Sequence, residues 1–157
     1  MTSPLPKITA WFESLTPQTL ASIGEVYASN AHFKDPFNDV TGIEKIRAIY
    51  AHMFANLIEP RFEITEVIEQ SDNLAAQAHP DRSSLARKAF VSWRFKFEWR
   101  GQFFDIPGGT RFAINAQGLV IDHVDYWDVA SGLYERLPLI GSLLRYLRQR
   151  MAAVSSG

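Results

Sequence analysis

The chain contains no cysteine, which excludes disulfides, thiolate metal sites and cysteine nucleophiles and leaves the redox compartment open. No apolar run approaches the roughly 20 residues that span a bilayer. The opening segment from Met1 to Lys7 lacks the basic-then-apolar order of a secretory leader. A cytoplasmic protein is the expectation. Charge of either sign is not in excess, with 16 Lys plus Arg against 17 Asp plus Glu, a balance that argues against a nucleic-acid or polyanion binder. His32, His52 and His79 share no spacing, and no His/Asp/Glu cluster has metal-ligand form, so no metal is expected. No glycine-rich phosphate loop follows a strand and opens a helix, and no serine sits in a nucleophile elbow. No cofactor is expected.

What the chain has is size and aromatic rings. Its 157 residues suit one domain that can bury a sizeable core. Its 11 Phe, 5 Tyr and 4 Trp make up 13% of the residues, enough either to fill a core or to line an apolar pocket.

Hydrophobic periodicity divides the chain. The first half reads helical: Ile8 to Leu15, then Thr16-Pro17 as a cap and first helical position, then Leu20, Ile23 and Tyr27 at helical spacing. Thr41-Gly42-Ile43-Glu44 has the form of a capping box. It opens an amphipathic helix through Ile46, Tyr50, Met53 and Leu57, with Pro60 expected to close it. The second half changes to a period of two. Residues 61–69 read as a strand and 72–87 as a polar loop. In the next strand Ala89, Val91, Trp93, Phe95, Phe97 and Trp99 share one face. A third strand carries Pro107-Gly108-Gly109, which suggests a bulge or bend, and the Asn115–Gly118 turn leads to a fourth strand over residues 119–127. Asp128 is placed to cap a short helix. Residues 137–151 form a last helix, with apolar Leu143, Leu144 and Leu147 beside basic Arg145, Arg148 and Arg150. Packing over the pocket mouth or against a second subunit explains that pattern, and resting on a membrane explains it as well. The fold expected is α+β, a curved antiparallel meander closed by N-terminal helices into a cone. It is a single domain with a core over about residues 8–130, a helical extension over 131–152 and a tail over 153–157.

Asp35 is the most informative single residue. Pro36 pushes it into an extended conformation, Phe33 shares its face, and Phe37 follows closely. Apolar surroundings disfavour the ionised form of an acid and suit it to proton transfer. A turn-shaping acid of Asx type would look the same in sequence.

The order of these features resembles the nuclear transport factor two-like superfamily, which includes SnoaL-like polyketide cyclases and ketosteroid isomerase. The resemblance covers about the first 130 residues and rests on Tyr27-Ala28, Asp35-Pro36-Phe37, Gly42 before the long helix, the aromatic hairpin, Arg111-Phe112, the Gly118 turn and Tyr126-Trp127. Ketosteroid isomerase offers the nearest pattern, and its Asp-Pro-Phe tripeptide implies a catalytic base at Asp35. Its oxyanion hole does not carry over. The expected tyrosine donor falls on Trp11, and the expected protonated acid falls in the Gly108-Gly109 region. The resemblance also implies that the face of the fourth strand bearing Trp127 looks into the cone. His123 and Asp125 would then be an acid/base pair inside it. Without that implication, the pair could equally face solvent or a partner subunit. Trp11, Tyr27, Phe37, Tyr50, Trp93, Phe95, Phe97 and Trp127 are the expected substrate-binding residues. A homodimer is common in the superfamily and expected here.

The function expected is cofactor-free acid/base chemistry on an apolar, oxygenated small molecule: isomerisation, elimination or cyclisation. Asp35, His123 and Asp125 are the candidate catalytic residues. A non-catalytic binder of an apolar ligand, or a dimeric interaction protein with a filled cone, are the alternatives.

Overall fold

Pro4 and Pro6 begin the first helix, where an absent backbone N–H costs nothing. That helix, α1 (Leu5–Glu13), buries Leu5, Ile8, Trp11 and Phe12 on one face. Residues 3–70 and 87–132 are described by the computed structural model. Thr19–Glu25 is a 3₁₀ helix, and the chain then enters β1 (Tyr27–Lys34) and β2 (Asp39–Thr41). Tyr27 therefore opens a strand. The Leu20, Ile23, Tyr27 spacing mimics a helix because the tight turns of residues 19–25 also bury Leu20 and Ile23.

The long helix α2 (Ile43–Asn56) follows, but without the capping box: Gly42 is the N-cap at φ 111° with no side-chain cap. Glu44 turns to Arg47 instead, at 3.3 Å. A left-handed cap residue suits glycine, and it lets the chain turn directly from β2 into the helix. Helix α2 ends at Asn56, before Pro60, which lies inside β3 (Ile58–Glu69). β3 is an edge strand, and its pairing skips between Ile58 and Arg61, the setting in which a strand tolerates proline.

β4 (Arg87–Trp99), β5 (Gln102–Ile114) and β6 (Val120–Trp127) complete an antiparallel meander from β3. The first strand β1 joins it by pairing parallel to β6, giving the order β2-β1-β6-β5-β4-β3. The α+β reading holds, as a six-stranded curved open sheet with helices on its concave side.

Pro107-Gly108-Gly109 makes no bulge. The β4–β5 register runs unbroken through Arg94↔Pro107, Trp93↔Gly108 and Ser92↔Gly109. Pro107 lies past the last β6 partner, Gly108↔Trp127, where an absent donor is least costly. The glycines serve packing. A Cβ on Gly108 would stand 2.3 Å from the Trp93 ring, and one on Gly109 would stand 2.4 Å from the Phe90 ring.

The Asn115–Gly118 turn forms as read, with Gly118 at φ 81°. Asp128 caps α3 (Val129–Gly132), accepting from the Ala130 and Ser131 N–H groups. The polar loop expected over residues 72–87 and the last helix expected over 137–151 lie outside the described residues, apart from Arg87. Among the described residues no helix is long and apolar enough to cross a membrane.

The core sits between α1, the 3₁₀ helix, α2 and the concave face. Phe12 is at its centre, stacked on Phe112 at 5.7 Å and edge-on to Tyr27 and Phe62. Each large apolar side chain buried here stabilises the fold by about 1.5–3 kcal/mol. A smaller cluster of Phe97, Phe104 and Ile106 lies toward the far end of the sheet. The cone between these clusters is not filled.

Candidate functional site

Alternation along β4 and β6 decides what the concave face carries. Trp93, Phe95, Phe97 and Trp99 project from β4, and Asp125 and Trp127 from β6, into a cavity of about 330 Å³. Ile49, Tyr50 and Met53 of α2 and Leu57 just after it close it from above, and Phe33 and Asp35 from β1 and its turn. Phe62 stacks on Phe95 at 4.6 Å, so the wall is a continuous set of rings. Phe37 is 55% exposed and meets Trp127 edge-on at 5.7 Å, which places it at the rim. An aromatic wall with few polar groups is the usual make-up of a small-molecule site.

The polar groups at its floor form one chain. His123, only 2% exposed, is packed among Phe33, Phe112 and Phe12. Its Nε2 is 2.7 Å from Asp125 Oδ1, and its Nδ1 is 2.6 Å from the Tyr27 hydroxyl. The Tyr27 hydroxyl is 3.0 Å from that of Tyr50. On the other side Thr110 Oγ1 donates to Asp125 Oδ1 at 2.5 Å and accepts from the Trp93 indole N–H at 2.8 Å.

Donor chemistry fixes the direction of this chain. The indole N–H can only donate, so the Thr110 hydroxyl accepts from it and gives its own proton to Asp125. A carboxylate can only accept, so the proton of a neutral His123 is on Nε2. Its Nδ1 lone pair then takes the Tyr27 O–H, and the Tyr27 oxygen takes the Tyr50 O–H. Burial, followed by the neighbouring Tyr50, holds the Tyr27 phenol well above its ordinary pKa. Burial, followed by the charge of Asp125 and that of Asp35, does the same for Tyr50. Both phenols therefore stay protonated and act as hydrogen-bond carriers.

Only the two ends of the central segment reach the cavity. Tyr50 and Asp125 line it, while Tyr27 and His123 lie beneath its floor. The Asp125 side chain is 14% exposed against 3% for His123. The bonds from His123 and Thr110 both fall on Asp125 Oδ1. Among the described residues Oδ2 accepts no hydrogen bond.

Asp35 lines the same cavity but its carboxylate is held by its own turn. Oδ1 accepts from the N–H groups of Phe37 and Asn38 at 2.7 and 2.6 Å, and the Asn38 amide spans both oxygens at 3.1 and 3.0 Å. This is the Asx turn that sequence offered as the alternative to a base. Trp11 does not reach the cavity. Its indole N–H donates to Ser22 Oγ at 3.0 Å, and its ring packs edge-on against Tyr27 and Tyr50. Tyr27 is likewise a buried link and touches no ligand space. Asn38, His52 and Asn56, which also line the cavity, and Thr110, beneath the floor, carry no site signal in the sequence; Thr110 gains one only once the β5–β6 register sets it opposite Asp125.

Among the described residues no group of three or more His, Asp or Glu side chains could hold a metal ion.

A model of the SnoaL-like domain matches residues 8–133. No curated protein matches the chain significantly. Solved structures do. A nuclear transport factor two-like protein of unknown function from Burkholderia pseudomallei is 14% identical, with 83% of this chain and 95% of that one covered and a TM-score of 0.65. A hypothetical protein with a ketosteroid isomerase-like fold from Catenulispora acidiphila, in complex with trimethylamine, is 19% identical, with coverages of 84% and 92% and a TM-score of 0.60. An epoxide hydrolase of the LEH-like type from M. tuberculosis is 11% identical, with coverages of 94% and 93% and a TM-score of 0.60. At these identities the likeness is one of fold.

Proposed function

This chain belongs to the SnoaL-like family, and on that premise we propose that it is an acid/base enzyme, an isomerase, lyase or cyclase, acting on an apolar molecule that carries a carbonyl. The fold presents a small-molecule cavity. The observation that supports catalysis is the pairing at its floor. A carboxylate with one oxygen uncommitted among the described residues and a phenol joined to a buried imidazole open on the same apolar space.

In this reading Asp125 is the proton acceptor. Oδ1 is fixed by His123 and Thr110, which leaves Oδ2 to take a proton from carbon next to the substrate carbonyl. Tyr50 meets the carbonyl oxygen. The Tyr50 O–H can rotate away from the Tyr27 oxygen, with Tyr27 kept in place by its bond to His123 Nδ1. The Tyr50 O–H is then released toward the cavity and donates to the oxygen on which negative charge develops. The C–H electron pair moves into the enolate and the proton resides on Asp125. Returning that proton to a different carbon completes an isomerisation; in a cyclisation the enolate carbon attacks a second carbonyl carbon of the same molecule, that carbonyl's π pair moves to its oxygen, and the proton held by Asp125 passes to that oxygen. Aromatic walls exclude water and hold the reacting carbon near Oδ2.

The test is α-deuteration. Incubated in D₂O with a panel of cyclic and aryl ketones, the protein is expected to exchange α-protons of at least one ketone faster than buffer does, as followed by NMR. Exchange at the buffer rate across the panel contradicts the proposal.

A further inference from the structure

The cavity has two carboxylates, Asp125 is bonded from beneath by His123, and among the described residues the one basic side chain in the lining is the exposed imidazole of His52. Asp35 and Asp125 both line it, and no lysine or arginine does so among the described residues. Lys34, next to Asp35 in the chain, lines the open cleft beside the cavity and reaches Asp39 at 3.3 Å. Arg100 sits 4.7 Å over the Trp99 ring and is not a lining residue. Its position shows that this ring already attracts a cation on one side.

The remaining wall is mostly aromatic, with Trp93, Trp99 and Trp127, the Phe62–Phe95 stack and Phe97 tilted against Phe95. Aromatic faces are the negative ends of ring quadrupoles, and tryptophan is the strongest of them for a cation. Rings and carboxylates thus create potential of one sign inside a poorly hydrated space. A neutral apolar ligand would fill the rings but displace water from both carboxylates without answering their charge, and an anion would be repelled.

We infer that the molecule bound in this cavity is an organic cation, a tertiary or quaternary alkylammonium group joined to an apolar body. The inference deepens the proposed function and rests on its reading of this cavity as the substrate site. The field of the two carboxylates is felt by Tyr50, whose phenol they help to hold above its ordinary pKa. A bound ammonium offsets that field, so the cationic substrate itself makes Tyr50 a better donor to its carbonyl.

The experiment uses three ligands of similar size with the full chain at low salt: benzyltrimethylammonium, its neutral carbon isostere neopentylbenzene, and the anion 3-phenylpropanoate. Binding is read by calorimetry and by tryptophan fluorescence. The cation is expected to bind on the order of tenfold tighter than the neutral isostere, with the anion weakest. D35N and D125N should each shrink the ratio of cation to neutral affinity severalfold while the neutral isostere keeps its affinity. Equal affinity for cation and neutral isostere, or a ratio unmoved in both variants, overturns the inference and leaves the acid/base reading standing. Failure of all three ligands to bind overturns the inference, and the acid/base reading is then decided by α-deuteration. Loss of α-deuteration in a protein that still prefers the cation would strike only the acid/base reading.

Discussion

His123 Nε2 lies 2.7 Å from Oδ1 of Asp125, and this one contact orders every hydrogen bond beyond it. Because the carboxylate accepts, the imidazole proton of neutral His123 must face it, and the Nδ1 lone pair must face Tyr27. We expect ¹⁵N NMR of the neutral ring to show the Nε2–H tautomer. A dominant Nδ1–H tautomer would reverse both phenols and contradict the chain as described.

Removing the hydroxyl at the cavity end separates chemistry from binding. Tyr50→Phe keeps the ring that packs on Phe33 at 6.0 Å but deprives the substrate oxygen of its donor and Tyr27 of a partner. α-Deuteration should fall by about 10- to 100-fold while ligand affinity changes less than threefold, and the fold should lose about 1 kcal/mol. An unchanged exchange rate would remove Tyr50 from the mechanism.

Packing predicts the outcome at Gly108. Gly108→Ala places a methyl 2.3 Å from the Trp93 ring, which must shift and loosen its bond to Thr110. The variant should be about 1–3 kcal/mol less stable by denaturant unfolding, with tryptophan fluorescence altered. Wild-type stability would show that the sheet yields at no cost.

On the outer side of β1, His32 bridges Asp122 at 2.7 Å and Asp39 at 2.8 Å. Those two carboxylates, Asp122 first, raise its pKa above 6.5. A raised folded value means that His32 contributes stability fully below pH ~6.5 and loses it as pH rises through the folded value. The Asp39 pKa is lowered by His32 and then Lys34, so its contribution is present above about pH 4 and fades below that. The thermal midpoint difference between wild type and His32→Gln should therefore peak between about pH 4 and 6.5 and shrink toward pH 8. A difference independent of pH would show that the bridge contributes nothing as an ion pair.

Much of the scaffold was legible because it depends on period. Alternation in β4 and β6 places the Trp93, Phe95, Phe97 row and the His123, Asp125, Trp127 row without reference to anything distant. What stayed hidden depends on partners far apart in sequence. Nothing local to Tyr27 reveals that it starts a strand pairing parallel to β6, 93 residues on by the Tyr27↔Val120 register. Thr110 acquires meaning only from the register that sets it between Val91 and Asp125, diagonal to Trp93. Asp35 is different: its carboxylate is held locally by Phe37 and Asn38, so both of its roles, base and Asx-turn acid, are legible in the sequence and only the geometry decides between them. Trp11 was placed by counting along the chain, but the hydroxyl that reaches the cavity is carried by α2.

Comparing α-deuteration by D125N and D35N side by side tests the central claim most directly. In D125N the amide oxygen can still accept from His123 and Thr110, so the fold should hold in both variants, as thermal melting would verify. The account predicts a loss of about 100-fold or more for D125N and a rate within severalfold of wild type for D35N. The opposite result, with D35N inactive and D125N near wild type, would return the base to the Asp35 turn and contradict its assignment to Asp125.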